Sequence, residues 1–396
     1  MISKEEIIDI CREHLAMNAI TADQYMFALT DENWKYICLK IAVSSWDKVL
    51  ILNLLVHHKV SITNISNDIN ILNYAFSLIN GTNIDINKLE IIRLLLDHGA
   101  TFEEQSMSTH NRTALMDMAH RLSRVDNYDL FVELIRILDE YRQLHINSLD
   151  SNGQTFLMHL CQEQSFYNIK IPFIKLLIDI YGANPFIVDN NGYNALMLAL
   201  IPRRITTRMD RSILLNNRDQ LMQLFIGMGV DINIVNNNGM NALFLLYSHR
   251  QTVSPEIHSL LCTSQSINNI DTIYNMNALQ YLTFQVQIYN PYNRQQQLYL
   301  TQILSTFRDI GALYNALMYK YIGQRSAFEY IFQCGISGHK NLAQIICCKV
   351  KRQEFLTYIS ATKKNKSKPN NKIQLCFMAM NATFKNYLGK QIANKL

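Results

Sequence analysis

One phrase recurs along the chain with small variations: Asn111-Arg-Thr-Ala-Leu115, Gly153-Gln-Thr-Phe-Leu157, Gly192-Tyr-Asn-Ala-Leu196, Gly239-Met-Asn-Ala-Leu243 and Asn275-Met-Asn-Ala-Leu279. Each copy opens a stretch with the apolar spacing of a helix. After most copies the chain runs on to a second apolar stretch closed by glycine, as in Ile91-Ile-Arg-Leu-Leu-Leu-Asp-His-Gly-Ala100, Leu224-Phe-Ile-Gly-Met-Gly-Val230 and Phe307-Arg-Asp-Ile-Gly-Ala312. A turn that repeatedly starts one helix, with a glycine that repeatedly ends another, restricts the chain to a stack of helix pairs in which each unit completes its core against its neighbours. Solenoids of this kind mostly bind rather than catalyse.

The glycine before the first helix sits where the backbone needs positive φ, and Asn is the residue that next best tolerates that conformation, as Asn111 and Asn275 supply it. Thr or Asn two residues later can cap the helix start, and the Ala-Leu pair lets neighbouring helices approach and bury. Gly99, Gly182, Gly229 and Gly311 fit left-handed caps that end the second helices. An acidic residue leads the turn at Asp150 and Asp189, becomes Asn236, and is lost at Ser108 and Thr272.

These residues resemble the ankyrin repeat, whose consensus runs Asp-x-x-Gly-x-Thr-Pro-Leu-His, a first helix, a second helix ending near Leu-Leu, and Gly-Ala. The resemblance covers roughly residues 30–312, and Pro is absent from every copy. It implies an all-α fold, an ankyrin-repeat solenoid of helix-turn-helix units with a helical C-terminal extension. The motif leucines Leu115, Leu157, Leu196, Leu243 and Leu279 are 42, 39, 47 and 36 residues apart, all longer than the family period of about 33. Insertions near 201–218 and 285–297 absorb the excess. Trp34 to Ile62 and Asn67 to Phe102 read as two further helix pairs, residues 1–29 as an N-terminal helical cap, and the array at 30–312 as about seven degenerate repeats.

Charge divides the chain. Residues 313–396 hold 12 Lys and 2 Arg against Glu329 and Glu354, a net of +12, which leaves 23 basic and 30 acidic residues, a net of −7, in 1–312. The turn phrase stops at this boundary while helical spacing continues, which predicts a basic helical C-terminal domain. No apolar run approaches the roughly 18 residues that span a bilayer, and Met1-Ile-Ser-Lys-Glu-Glu lacks the pattern of a secretory signal. Eight irregularly placed cysteines fit reduced thiols in a cytoplasm, including the cytosol of a host cell.

The resemblance implies contact positions on a concave face at the turn tips: Arg112, Gln154, Asn190, Asn191, Tyr193, Asn237, Asn238, Met240, Ile273, Tyr274 and Met276. Tyr193, Met240, Tyr274 and Met276 would form an apolar stripe with aromatic anchors for a partner protein. Arg203, Arg204, Arg208 and Arg211 in the first insertion could clamp anions or be a solvated loop. Lys363, Lys364, Lys366 and Lys368 could meet anionic membrane, nucleic acid or only water; no nucleic-acid-binding signature supports the second.

Cys334, His339, Cys347 and Cys348 lack the paired spacing of a zinc site, so neither metal nor cofactor is expected. Cys161 near His159, or Cys334 with His339, would be the start of a cysteine nucleophile, although first-helix packing is the expected role of the former pair. The sequence reads as a protein-binding scaffold, similar in style to ankyrin effectors of intracellular bacteria or large DNA viruses. Its rivals are an ankyrin-targeted enzyme with a cysteine-dependent, hydrolase-like C-terminal domain and a scaffold on anionic membrane.

Overall fold

The computed structural model describes residues 34–57, 59–60, 62, 70–79, 83–101, 112–121, 128–162, 170–201, 211–249 and 253–289, with Ala316 and Tyr319. The N-terminal cap, Gly311 and almost all of 313–396 lie outside the described residues. The described residues are all-α, built as successive helix–turn–helix units. Two compact units divide the chain, Met1–Asn190 with Arg203–Thr206 and Asn191–Pro202 with Thr207–Leu396.

In the first unit the helices are α1 (Trp34–Ser44), α2 (Lys48–Leu52), α3 (Ile71–Leu78), α4 (Ile86–Asp97), α5 (Ala114–Arg121), α6 (Tyr128–Glu140), α7 (Phe156–Gln162) and α8 (Lys170–Asp179). Helix α2 runs into a π-helical turn at Asn53–His57. The two pairs expected upstream of the first turn phrase are α1 with α2 and α3 with α4. Inner helices stack in order, α1 on α3, α3 on α5 and α5 on α7, while α4 meets α6 on the outer side. The inner helices are buried almost all round: every residue of α7 is buried, so it is stable only between neighbours. On the outer side Arg93 reaches Glu133 at 3.5 Å and Glu140 at 3.4 Å, and Arg136 pairs with the same two carboxylates. The Arg136 hydrogen bond holds the Glu133 carboxyl below its ordinary range.

The second unit has α9 (Ala195–Ala199), α10 (Arg211–Gly227), α11 (Ala242–Ser248), α12 (Pro255–Leu261), α13 (Ser264–Asn268) and α14 (Ala278–Tyr289). Helix α9 packs on α11 and α11 on α14, with α10 and α12 together on the outer side. Caps set the starts: Ser254 accepts from Ile257 N with Pro255 at the first helical position, and Thr263 and Ser266 exchange bonds in a capping box. Burial raises the Asp219 carboxyl on α10, which accepts from Ser254 N at 3.0 Å and so ties α10 to the start of α12.

Two parts of the expected insertions are helical. Residues 211–218, read from sequence as loop, belong to α10, and 285–289 finish α14; in the latter an apolar spacing of three and four runs on through Leu279, Leu282, Val286 and Tyr289. The predicted glycine caps hold at Gly99, Gly182 and Gly229, all with positive φ. Helix α6 ends in the same way without glycine: Arg142 has φ 54°, and Gln143 N donates to Leu138 O at 2.8 Å.

Candidate partner-binding surface

The turns that precede the inner helices are built around one side-chain oxygen. Asp150 Oδ1 accepts from Asn152 N and Gln154 N, both at 2.8 Å. Asn236 Oδ1 does the same for Asn238 N at 3.0 Å and Met240 N at 2.9 Å. In the last turn Asp271 is the leader, with Oδ1 accepting from Ile273 N and Tyr274 N and Oδ2 from Met276 N. The sequence expectation that the acid is lost at Thr272 is therefore corrected. This turn has one residue more than the others, which moves the carboxylate back a place, and the extra amide is taken up by its second oxygen. Asn275, standing where other turns have glycine, has φ 54° as its residue type allows.

The second atom of each leader meets a different fate. Asp150 Oδ2 lies 3.0 Å from His159 Nε2, with both side chains fully buried, and 3.9 Å from Arg112 Nε. Asp189 Oδ2 accepts from Gln154 Nε2 at 3.0 Å. Around Asn236 the corresponding residues are Leu245 and Tyr193. There an amide replaces the acid, and its buried Nδ2 has no hydrogen-bond partner. A charge is kept where a donor faces it and dropped where none does.

Neighbouring turns are joined by single backbone bonds. Asn190 N donates to Asn152 O in the first unit, and Asn237 N to Asn191 O and Thr272 N to Asn238 O in the second, each at 2.9 Å. A side chain at Gly192 would forbid this approach: a Cβ there falls 2.9 Å from Asn236 Cα. Below the turns, Asn194, Asn241 and Asn277 cap the inner helices by accepting from Met197 N, Phe244 N and Gln280 N. Two of these amides also donate onward, Asn241 Nδ2 to Ser266 O and Asn277 Nδ2 to Ala316 O, both at 2.8 Å. Thr113 and Thr155 cap by the same acceptor geometry but carry one hydroxyl in place of an amide with a separate donor arm.

Several sequence-selected residues are exposed: Asn190, Asn191, Asn237 and Asn238, with Ile273 at 53% and Tyr274 at 41%. Tyr193 and Met240 are half-buried. Three others are drawn inward. Gln154 is held by Asp189 and Arg112 stands over Asp150 and Asp117. Met276 is only 4% exposed, because the longer last turn pins its amide to Asp271 and turns it under the tip; it does not extend the apolar stripe. Arg203, Arg204, Arg208, Lys363, Lys364, Lys366 and Lys368 lie outside the described residues, and Arg211 is placed only as the first residue of α10.

Tyr274 is anchored rather than loose. Its ring centroid is 5.3 Å from that of Tyr281, which lies 4.9 Å from Phe244 in the core. This aromatic file fixes the orientation of the exposed ring. Sequence reading missed one surface row, the apolar residue just before each leader: Leu149 and Val188 in the first unit, Val235 and Ile270 in the second, all exposed. Its signal was present, since the turn leaders are each preceded by Leu, Val or Ile. Nearby charge is sparse: Ile232 to His249 has no Lys, Arg, Asp or Glu, and Ile257 to Phe284 has only the buried Asp271.

Cysteine chemistry has no support here. His159 faces Asp150, Cys161 is buried, and Cys334, His339 and Cys347 lie outside the described residues. A different pair is formed by Cys262 Sγ and His258 Nδ1, 3.4 Å apart, with Tyr247 Oη 2.7 Å from His258 Nε2. Burial raises the thiol well above its ordinary value and lowers the imidazole to about 4, so both stay neutral at physiological pH and a thiolate is disfavoured. Among the described residues no group of three or more His, Cys, Asp or Glu side chains could hold a metal ion, and no helix is long and apolar enough to cross a membrane.

No family model matches the chain, and no curated protein matches it. Among solved structures it is similar to the ankyrin repeat domain of Bcl-3, described as a unique member of the IkappaB protein family. That likeness has 18% sequence identity and a TM-score of 0.42, over 61% of this chain and 92% of that one. It is too distant to add to the repeat class already evident in the turns and helix stacking.

Proposed function

We propose that the chain is a scaffold that binds a partner protein through the turn-tip surface of its repeats, with the second unit as the main contact. The single observation that carries this reading is the exposed, pre-oriented Tyr274 next to Ile273, with Val235 and Ile270 exposed in the same two hydrogen-bonded turns, in a charge-poor field of amides. Rigid aromatics flanked by apolar side chains are what binding hot spots are made of, since little side-chain entropy is lost on docking. Asn191, Tyr193, Asn237, Asn238 and Met240 supply hydrogen bonds and flanking area there, and Asn190 is proposed as a contact of the first unit. The partner surface this favours is neutral and apolar at its centre.

The wider proposal keeps residues 30–312 as the array and 313–396 as a basic domain, places the protein in the cytoplasm, and has it act as a pathogen effector in host cytosol. Degenerate, Asn- and Ile-rich repeats support that last step. Segment 349–368, with Lys363, Lys364, Lys366 and Lys368, is proposed as an anionic-membrane contact on its charge alone; liposome co-sedimentation lost on their replacement by alanine would support it.

The test of the main reading is capture from eukaryotic lysate by the full chain, compared with an Ile273→Ala, Tyr274→Ala double variant. A specific protein captured by the first and lost by the folded second is expected. Undiminished capture by the variant would refute this surface.

A further inference from the structure

Three turns carry an Asn-Gly pair at their tips: Asn152-Gly153, Asn191-Gly192 and Asn238-Gly239. This dipeptide is chemically fragile, because glycine has no Cβ to hinder attack by its own nitrogen on the preceding side chain. Asn152 and Asn238 are also exposed to water. Yet the backbone that such a reaction must move is tied at three points in the first and last of these turns. Asn152 N donates to Asp150 Oδ1 at 2.8 Å, its carbonyl accepts from Asn190 N at 2.9 Å, and Gly153 N donates to Asp150 O at 2.9 Å. Asn238 N donates to Asn236 Oδ1 at 3.0 Å, its carbonyl accepts from Thr272 N at 2.9 Å, and Gly239 N donates to Asn236 O at 2.8 Å.

We propose that Asn152 and Asn238 are latent deamidation sites gated by the fold, inert while their turns are closed and converted irreversibly when a repeat opens. The glycine nitrogen loses its proton to hydroxide and attacks Asn Cγ. A Cγ–N bond forms, the Cγ–Nδ2 bond breaks, and ammonia leaves with a proton from water. Water then adds to one of the two carbonyls of the resulting cyclic imide and opens it to aspartate or isoaspartate. Water is the only co-reactant, and nothing is oxidised or reduced.

The closed turn opposes the first step in two ways. The glycine N–H is already engaged, which makes deprotonation costlier, and the nitrogen cannot swing toward Cγ while the peptide planes on either side are held by the next turn. Once formed, isoaspartate routes the main chain through the former side chain and adds a methylene. The carbonyl bonded to the neighbouring turn and the glycine N–H bonded to the leader then no longer fit one register. A repeat that has opened for long enough does not close again.

The full chain, incubated at mildly alkaline pH both native and in guanidinium chloride, is to be followed by peptide mapping that separates Asn, Asp and isoaspartate. Conversion at Asn152 and Asn238 is expected to be roughly a hundredfold slower in the native protein, the factor that about 2.8 kcal/mol of local opening imposes at about 1.4 kcal/mol per decade. An Asn236→Ala variant, which removes the acceptor for Asn238 N, should accelerate Asn238 and leave Asn152 at the native rate. Equal rates in native and unfolded chain would overturn the proposal, as would an Asn238 rate unchanged by the variant.

Discussion

Replacing Asn241 separates the two bonds its side chain makes. The residue is 1% exposed, with Oδ1 capping α11 through Phe244 N at 2.9 Å and Nδ2 donating to Ser266 O at 2.8 Å. Loss of a side-chain cap costs about 1 kcal/mol, and stripping a buried carbonyl of its donor costs about 1–3 kcal/mol. Asn241→Ala loses both and should destabilise by about 2–4 kcal/mol. Asn241→Thr keeps an oxygen at the capping position and loses only the amide arm that reaches Ser266 O, so it should fall short of wild type by about 1–3 kcal/mol. Urea unfolding followed by circular dichroism would read these losses as midpoint shifts on the order of 1 M, at a slope of about 2 kcal/mol per molar. Unequal slopes would signal a departure from two-state unfolding. A threonine variant within about 0.5 kcal/mol of wild type would refute the onward bond, and equal losses in both variants would refute the cap.

Gly99→Ala and Gly192→Ala both force alanine into positive φ, at about 1–2 kcal/mol. Only the second also drives a Cβ into neighbouring backbone, 2.9 Å from Asn236 Cα, so its melting temperature should fall further; equal shifts would contradict the close approach. His258, lowered to about 4 by burial, stays neutral when folded while the unfolded chain takes up a proton below about 6.5. Stability is thus full above that pH and is lost as pH falls toward 4, by up to about 3 kcal/mol. The urea midpoint of a His258→Gln variant should depend less on pH in this window, and an unchanged pH dependence would exclude His258 as the source. Asn236→Asp restores the usual acid where no donor faces its second oxygen and should destabilise by about 1–3 kcal/mol at neutral pH, less as acid protonates it; a gain in neutral-pH stability would show that a donor reaches that oxygen.

Much of the fold was legible because each repeat spells its own boundaries. Gly99 and Gly229 end helices as read, and Asn275 takes the glycine conformation that its residue type permits. What was hidden depended on neighbours. Arg142 adopts a left-handed cap that arginine does not announce, held there by the buried helix behind it. The shift of the last leader from Thr272 to Asp271 shows only once the two oxygens are seen sharing three amides. At the surface, Ile273 and Tyr274 were readable from repeat position, whereas the burial of Met276 followed from the same extra residue. The Tyr247, His258 and Cys262 cluster combines a legible spacing of four with a tyrosine from the preceding helix, which no local pattern links to it.

The donors of Asn241 and Asn277 reach forward along the chain by 25 and 39 residues. A ribosome delivers those acceptors last. As the polypeptide emerges, a first helix capped by Thr113 or Thr155 has its capping oxygen at hand at once, although its core still waits for the neighbours that bury it. The repeats capped by Asn241 and Asn277 complete their second bond only when the following segment has been made. Folding during synthesis thereby acquires a direction at these two repeats, each sealed in retrospect by the segment that follows.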